Sequence, residues 1–387
     1  MDEHENDCKY NLAETCCASI SIDQLKDLCD DENRQVFDTS KPLTYGAIRG
    51  SNDLRTNLAR LYSAKVTAPL SPESILTTPG AIQANYLTTY ALVGKGDHVI
   101  CHYPTYQSLY DVPKQLGAEV DLWKATPSTN WVPSIADLKT LIKPNTKFII
   151  INNPNNPTGA VLNKTFLQEL IDVAAEKNIT ILADEVYRPI FHSFSPIDND
   201  FPPSLVSMGY KNVIVTGSMS KAYSLAGIRV GWIASRNPEL IERIASARHY
   251  TTISVSQFDE QIAAFALHSS TVHNLLARNI QLAKTNLALL ERFMIKNEDE
   301  CEWVKPLAGT TAFLKFHKEG KPVDSVDFCK KLLAKTGVLF TPGTCFGEEW
   351  KGYVRVGFVN STEVLEKGLV EAGRFVRKDL ENVKLAE

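Results

Sequence analysis

The chain has 387 residues, of which 44% are hydrophobic and 22% charged, and a formal net charge of -4. That much apolar surface is enough for one large domain and one smaller one, and a mildly acidic surface argues against nucleic acid as the main partner. No apolar run reaches the roughly 18 residues that a membrane-crossing helix needs, so no membrane partner is expected.

The opening residues Asp2, Glu3, Glu5 and Asp7 carry the wrong charge for a secretory or mitochondrial signal. The eight cysteines are scattered, none forms a C-x-x-C pair, and the adjacent Cys16 and Cys17 are badly placed for an ordinary disulfide. Reduced thiols in a cytoplasmic protein follow as the expectation. Nothing clusters like a metal site, so no metal is expected.

Taken along the chain, Gly80 to Val93 reads as a helix opened by the breaker pair Pro79-Gly80, and His98 to Tyr103 and Ala118 to Trp123 read as short strands. Lys147 to Asn152 (KFIIIN) is a strand apolar on both faces, and Phe166 to Lys177 is amphipathic with helical spacing. Ile179 to Ala183, Val213 to Thr216 and Arg229 to Ala234 are further strands. Such alternation predicts a mostly parallel sheet covered by helices. The pattern changes after about residue 285. A long helix over Val272 to Lys296 leads into Thr311 to Phe316, Ser325 to Lys335, Tyr353 to Phe358 and Thr362 to Val376. The expected division is a segment 1-44 that joins the small domain, a large domain 45-285 and a small domain 286-387.

The strongest chemical signal is Ser218-Met219-Ser220-Lys221, eight residues before Arg229. Two hydroxyls, a lysine and an arginine at a strand end suit a phosphorylated aldehyde. The lysine can form an imine, the serines point the same way on an extended chain, and the arginine can grip phosphate with two prongs. Arg229 is also expected to help keep Lys221 neutral. The bland alternative is a surface lysine in a serine-rich loop. Asp184-Glu185-Val186-Tyr187 follows the apolar strand ITILA, where ligands bind in parallel sheets. Asp184 could hold a protonated ring nitrogen and Tyr187 a phenolic oxygen. A cap or a solvated acid is the alternative, and Glu185 is read as that. Asn152 to Gly159 (NNPNNPTG) is a rigid loop at a strand end, or a plain turn. Gly80-Ala81-Ile82 at a helix start offers free N–H groups for phosphate, or a simple cap. In Tyr103-Pro104-Thr105-Tyr106 an aromatic ring could stack on a flat cofactor, and Tyr103 is read as core.

In this order the elements resemble the class I/II aminotransferases, enzymes of pyridoxal-phosphate (PLP) fold type I. The resemblance runs from about Tyr45 to Phe358, on YGAIRG, GAIQ, PTY, NNPTG, DEVY, SxSK with its arginine, and Tyr353-Val354-Arg355. It implies a mostly parallel seven-stranded-type sheet between helices, with a smaller α+β C-terminal domain, and pyridoxal 5'-phosphate as cofactor. It implies Lys221 as Schiff-base lysine and proton shuttle, Asp184 on the pyridine nitrogen, and Asn156 and Tyr187 on the phenolic oxygen. Tyr106 would stack on the ring. Gly80, Ala81, Ile82, Ser218, Ser220 and Arg229 would surround the phosphate. Tyr45 would reach the phosphate of the neighbouring subunit in a homodimer with shared sites. Arg355, with Asn156, would bind the α-carboxylate of an amino acid or 2-oxo acid. Within the family, DEVYRPIFH, HYTTIS and NLAETCC resemble a group that includes capreomycidine synthase-like proteins.

Transamination of a free amino acid is the leading expectation. The same residues equally serve a PLP lyase or cyclase, because both use one electron sink. A regulator with an aminotransferase-like domain needs an added DNA-binding domain, for which the acidic residues before Tyr45 leave little room.

Overall fold

The computed structural model describes residues 4, 7–64 and 68–386; Asp2, Glu3 and Glu5 of the acidic opening lie outside them. A seven-stranded sheet has the order Ile75–Thr78, Gly231–Ser235, Val213–Ser218, Thr180–Asp184, Thr146–Asn152, His98–Tyr103, Glu119–Lys124. Gly231–Ser235 runs against both neighbours, and the remaining pairings are parallel.

The central strands are apolar on both faces because each face has its own core. Ile149, Ile151, Ile181, Ala183, Val213 and Val215 join one cluster. Their alternates Phe148, Ile150, Leu182 and Ile214 join another. This is the period-two pattern of a strand covered on both sides. Parallel pairing also aligns the carboxyl ends, with Asn152 opposite Asp184 and Asp184 opposite Thr216. Three polar side chains thus stand in one row where an otherwise apolar sheet stops.

The helix Gly80–Leu92 packs on Val213–Ser218 and Gly231–Ser235. Gly231 has to be glycine there, since a Cβ would stand 2.6 Å from the backbone nitrogen of Ala81.

A second, antiparallel sheet is built from Cys301–Trp303, Thr311–Lys318, Lys321–Pro322, Thr341–Pro342 and Tyr353–Gly357. The helices Val272–Lys296 and Thr362–Asp379 pack on each other. Tyr10–Asn11 pairs in parallel with Val338–Leu339, so the start of the chain is sewn to residues far along it.

The long helix Val272–Lys296 and the strand His98–Tyr103 lie as read from sequence, and other shared elements shift by one to three residues at one or both ends. The strand Ile75–Thr78 was not anticipated. It has only four residues, all buried, wedged between Ser74 and Pro79.

Candidate active site

Lys221 follows the strand Val213–Ser218. Its ammonium donates to Thr15 Oγ1 at 2.8 Å and Cys16 Sγ at 3.4 Å, with Glu14 Oε1 at 3.7 Å. The backbone N–H groups of Thr15 and Cys16 hold that Glu14 oxygen at 2.6 and 3.0 Å. The Cys17 N–H donates to the Lys221 carbonyl at 3.0 Å. The N-terminal segment is therefore laid across the lysine. Burial opposes the ammonium, but Tyr187, Cys16 and Glu14 outweigh it and raise its pKa above the ordinary lysine value. This corrects the expectation that Arg229 keeps Lys221 neutral. Arg229 turns to Ser220, and the groups facing the lysine favour its charge. Burial pushes Cys16 up to about 11 and Cys17 up to about 12.

Asp184 ends its strand and is buried. Its Oδ1 accepts from the Val186 N–H at 3.1 Å and its Oδ2 from Asn85 Nδ2 at 2.8 Å. Burial raises its pKa to about 6, against those two donors. Tyr187 is buried beside Lys221, Arg355 and Thr15, and burial raises its pKa. Glu185 is not the solvated acid or cap expected from sequence. It is buried, and accepts from the Ser204 hydroxyl at 2.7 Å and the Leu205 N–H at 3.0 Å, with Arg188 Nε at 3.3 Å. The chain some twenty residues on folds back to satisfy it.

Asn156 is buried in the NNPNNPTG loop, its N–H fixed by Asn152 Oδ1 at 2.7 Å. Its Oδ1 lies 3.4 Å from Arg355 Nη1. Arg355 sits on Tyr353–Gly357 with Val354 and Val356 in the core on the opposite side, as strand alternation requires. Its Nη2 donates to the Ala13 carbonyl at 2.8 Å and Thr341 Oγ1 at 3.0 Å. Among the described residues it forms no ion pair, and its buried Nε has no hydrogen-bond partner. Burial lowers its pKa, the direction expected of a desolvated guanidinium without a carboxylate.

At the other end, Ser218 and Ser220 hydroxyls are 2.8 Å apart, and Arg229 Nη1 is 3.2 Å from Ser220 Oγ. Gly80 opens its helix at φ +80°, and a Cβ there would stand 2.6 Å from Arg229 Nη2. Glycine lets the guanidinium lie against the helix start. Pro79 supplies no side-chain cap, so the first N–H groups, those of Gly80, Ala81 and Ile82 among them, have no side-chain cap as partner. The Ile82 side chain itself is exposed. This arrangement of donors fits a phosphate. A buried carboxylate at Asp184 fits a protonated ring nitrogen, and Lys221, near enough to Asp184 to act on its charge, fits the aldehyde carbon of the same cofactor.

Two residues stand apart. Tyr106 is partly exposed, near enough to Arg355 to influence it. Tyr45 is 78% exposed, and no hydrogen bond or ring contact ties it to this cluster. Tyr103, read as core, is buried against Tyr110 and Trp350. Sequence reasoning gave no role to Asn85, Thr216 or the Glu14–Cys16 segment. Asn85 had a faint signal, as an amide within the apolar run of a helix; Glu14 had none, since its contact spans more than 200 residues. No group of three or more histidine, cysteine or acidic side chains could hold a metal among the described residues. No described helix is long and apolar enough to cross a membrane.

Residues 16–371 match the family model of aminotransferase class I and II. The chain is 31% identical to capreomycidine synthase of Streptomyces vinaceus over 295 residues, 76% of this chain and 72% of that protein. It is 29% identical to aspartate aminotransferase of Thermotoga maritima over 324 residues, 83% and 80% of the two chains. Among solved structures it resembles a PLP-dependent aminotransferase of Streptococcus suis, with 40% identity, TM-score 0.88 and 97% and 96% of the chains covered. A PLP-dependent cyclase, OrfR, is similar at 25% identity and TM-score 0.82, with 95% and 93% covered.

Proposed function

The chain belongs to the class I and II aminotransferases and is a PLP-dependent transferase; from that premise we propose how its own residues serve the transfer of an amino group from a free amino acid, leaving a 2-oxo acid. PLP, when bound, supplies the electron sink that makes the substrate's Cα–H acidic. Lys221 would hold the cofactor through its amine and, once released, take the proton from the substrate's Cα. Asp184 would hold the ring nitrogen. Asn156 and Tyr187 would hold the phenolic oxygen, and Tyr106 would stack on the ring. Gly80, Ala81, Ile82, Ser218, Ser220 and Arg229 hold the phosphate. Arg355, with Asn156, orients the α-carboxylate.

The observation that carries this reading is Arg355. A buried guanidinium whose Nε lacks any partner, beside the residues of the lysine site, is supplied for an anion that arrives with the substrate. The test is to incubate the holoenzyme with a panel of amino acids, follow cofactor absorption and identify products by mass. A 2-oxo acid with aminated cofactor supports transfer. A second reading, a lyase or cyclase, is favoured by the similarity to capreomycidine synthase and to OrfR. A ring-closed or eliminated product with the cofactor still an aldehyde would support it.

The proposal extends to a large domain over 45–285 and a small one over 286–387 joined by 1–44. The separate antiparallel sheet within 301–357 and the pairing of Tyr10–Asn11 with Val338–Leu339 support it. It also extends to a cytoplasmic, biosynthetic homodimer in which Tyr45 completes the partner's phosphate site, supported by the exposure of Tyr45 and of Ile82, Tyr86 and Tyr90 along one helix. A mixed dimer of Lys221→Ala and Tyr45→Phe chains regains activity over both parents if sites are shared, given that Tyr45→Phe alone is impaired. No gain would place Tyr45 in its own chain's site.

A further inference from the structure

Asn85 lies on Gly80–Leu92, the helix whose first turn forms the phosphate-binding donors. It lies five positions after Gly80, about 7.5 Å along a helix axis. It is buried, as are both of its side-chain partners. Its Nδ2 is 2.8 Å from Asp184 Oδ2, and its Oδ1 is 2.7 Å from Thr216 Oγ1. Asp184 and Thr216 are register partners on adjacent strands, so one amide bridges the row of polar side chains at the sheet's end.

Chemistry fixes the direction of this chain of contacts. An ionised carboxylate only accepts, so the amide must turn its NH2 to Asp184. Its oxygen then faces Thr216, whose hydroxyl must donate. Thr216 therefore holds Asn85 in the one orientation that gives Asp184 a donor. Each Asp184 oxygen receives one protein hydrogen, from the Val186 N–H on one side and from Asn85 on the other. The Val186 donor is main chain and is the same for any side chain at that position. Asn85 is the donor that a side-chain choice controls.

We propose that Asn85 is a positioning residue that acts through Asp184 to keep the shared proton on the cofactor's ring nitrogen. The inference rests on the reading that Asp184 pairs with that nitrogen. A buried carboxylate without donors is a strong base, because burial disfavours its charge. Facing a protonated ring, such a base draws the proton to itself. A donor on Oδ2 stabilises the anion and weakens it as a base, so the proton stays where it strengthens the electron sink. The same helix holds the phosphate end, so ring tilt and ring protonation are set by one rigid element.

The test uses holoenzyme reconstituted with cofactor labelled with 15N in the ring, observed by 15N NMR beside steady-state kinetics. Wild type is expected to show a protonated ring. Asn85→Leu, similar in bulk but without the amide, is expected to move the resonance toward neutral pyridine. It should lower kcat by roughly ten- to a hundredfold, the scale of one hydrogen bond to a charged group, with a smaller change in KM. Thr216→Val should move the resonance the same way by less, and carries the test if Asn85→Leu does not fold. A wild-type resonance in both variants overturns the inference. Asp184→Asn separates the two levels. If it shifts the resonance while the Asn85 and Thr216 variants do not, this inference alone fails. If Asp184→Asn also leaves the resonance unchanged, the pairing of Asp184 with the ring fails with it.

Discussion

The proposed site has two sides, one for cofactor and one for substrate, built on different principles. The cofactor side stands on the carboxyl ends of parallel strands, where register places Asn152, Asp184 and Thr216 in a row and helix Gly80–Leu92 closes over it. Its polar side chains are linked to one another: Asp184 has two donors, and Ser218, Ser220 and Arg229 are joined. The substrate side is assembled from distant pieces, with Arg355 from the small sheet, the Ala13–Cys16 segment from the start of the chain and Asn156 from a loop. There polar capacity is left over, as in the unpartnered Arg355 Nε. A preorganised side holds what stays, and an incompletely satisfied side awaits what comes and goes.

Substitutions can break this division, beginning with the largest effect. Lys221→Ala joins neither side, and should abolish turnover while the fold, followed by circular dichroism, persists. Asp184→Asn attacks the cofactor side. It should lower kcat by about three orders of magnitude, on the order of 4 kcal/mol, with cofactor still bound. Near-normal turnover would show that another acid faces the ring. Arg355→Lys attacks the substrate side and should raise KM with cofactor affinity little changed. An ammonium cannot copy a two-pronged contact, and the expected loss is about 2–4 kcal/mol. Unchanged kinetics with every amino acid substrate would remove Arg355 from the site.

The smallest effect is on stability. Burial raises Asp184 from 3.8 to about 6, so between those values the folded chain binds a proton that the unfolded chain has lost. Stability from this group is therefore present at low pH and lost as pH rises through about 6. Asp184→Asn should unfold at higher urea than wild type at pH 7.5 in cofactor-free protein, by no more than about 3 kcal/mol, and the gain should vanish at pH 4. A gain independent of pH would refute the assignment. His102 and His192 run the other way. Burial lowers both to about 4, so their contribution is lost as pH falls from 6.5 toward 4.

The same division governs what could be read from the residues alone. Apolar runs ending in Asn152, Asp184 and Ser218 announce parallel strands, and the polar residue at each end announces the site, because sheet and chemistry are encoded in one local stretch. Arg355 was legible through the motif Tyr353-Val354-Arg355 that the family resemblance carries. The Glu14–Cys16 contacts with Lys221 were not, since no local pattern encodes a contact across 206 residues. Glu185 was misread for a like reason, its partners Ser204 and Leu205 arriving through a later turn. Neither the reversed direction of Gly231–Ser235 nor the four-residue strand Ile75–Thr78 leaves a periodic trace.

The central claim is that Lys221 is the residue to which the cofactor is bound, at the junction of the two sides. Reducing the holoenzyme with borohydride would fix the cofactor to the nitrogen that carries it, and digestion followed by mass spectrometry would locate the label. The account predicts one modified peptide, containing Lys221. A label on any other lysine, with Lys221 unmodified, would contradict it.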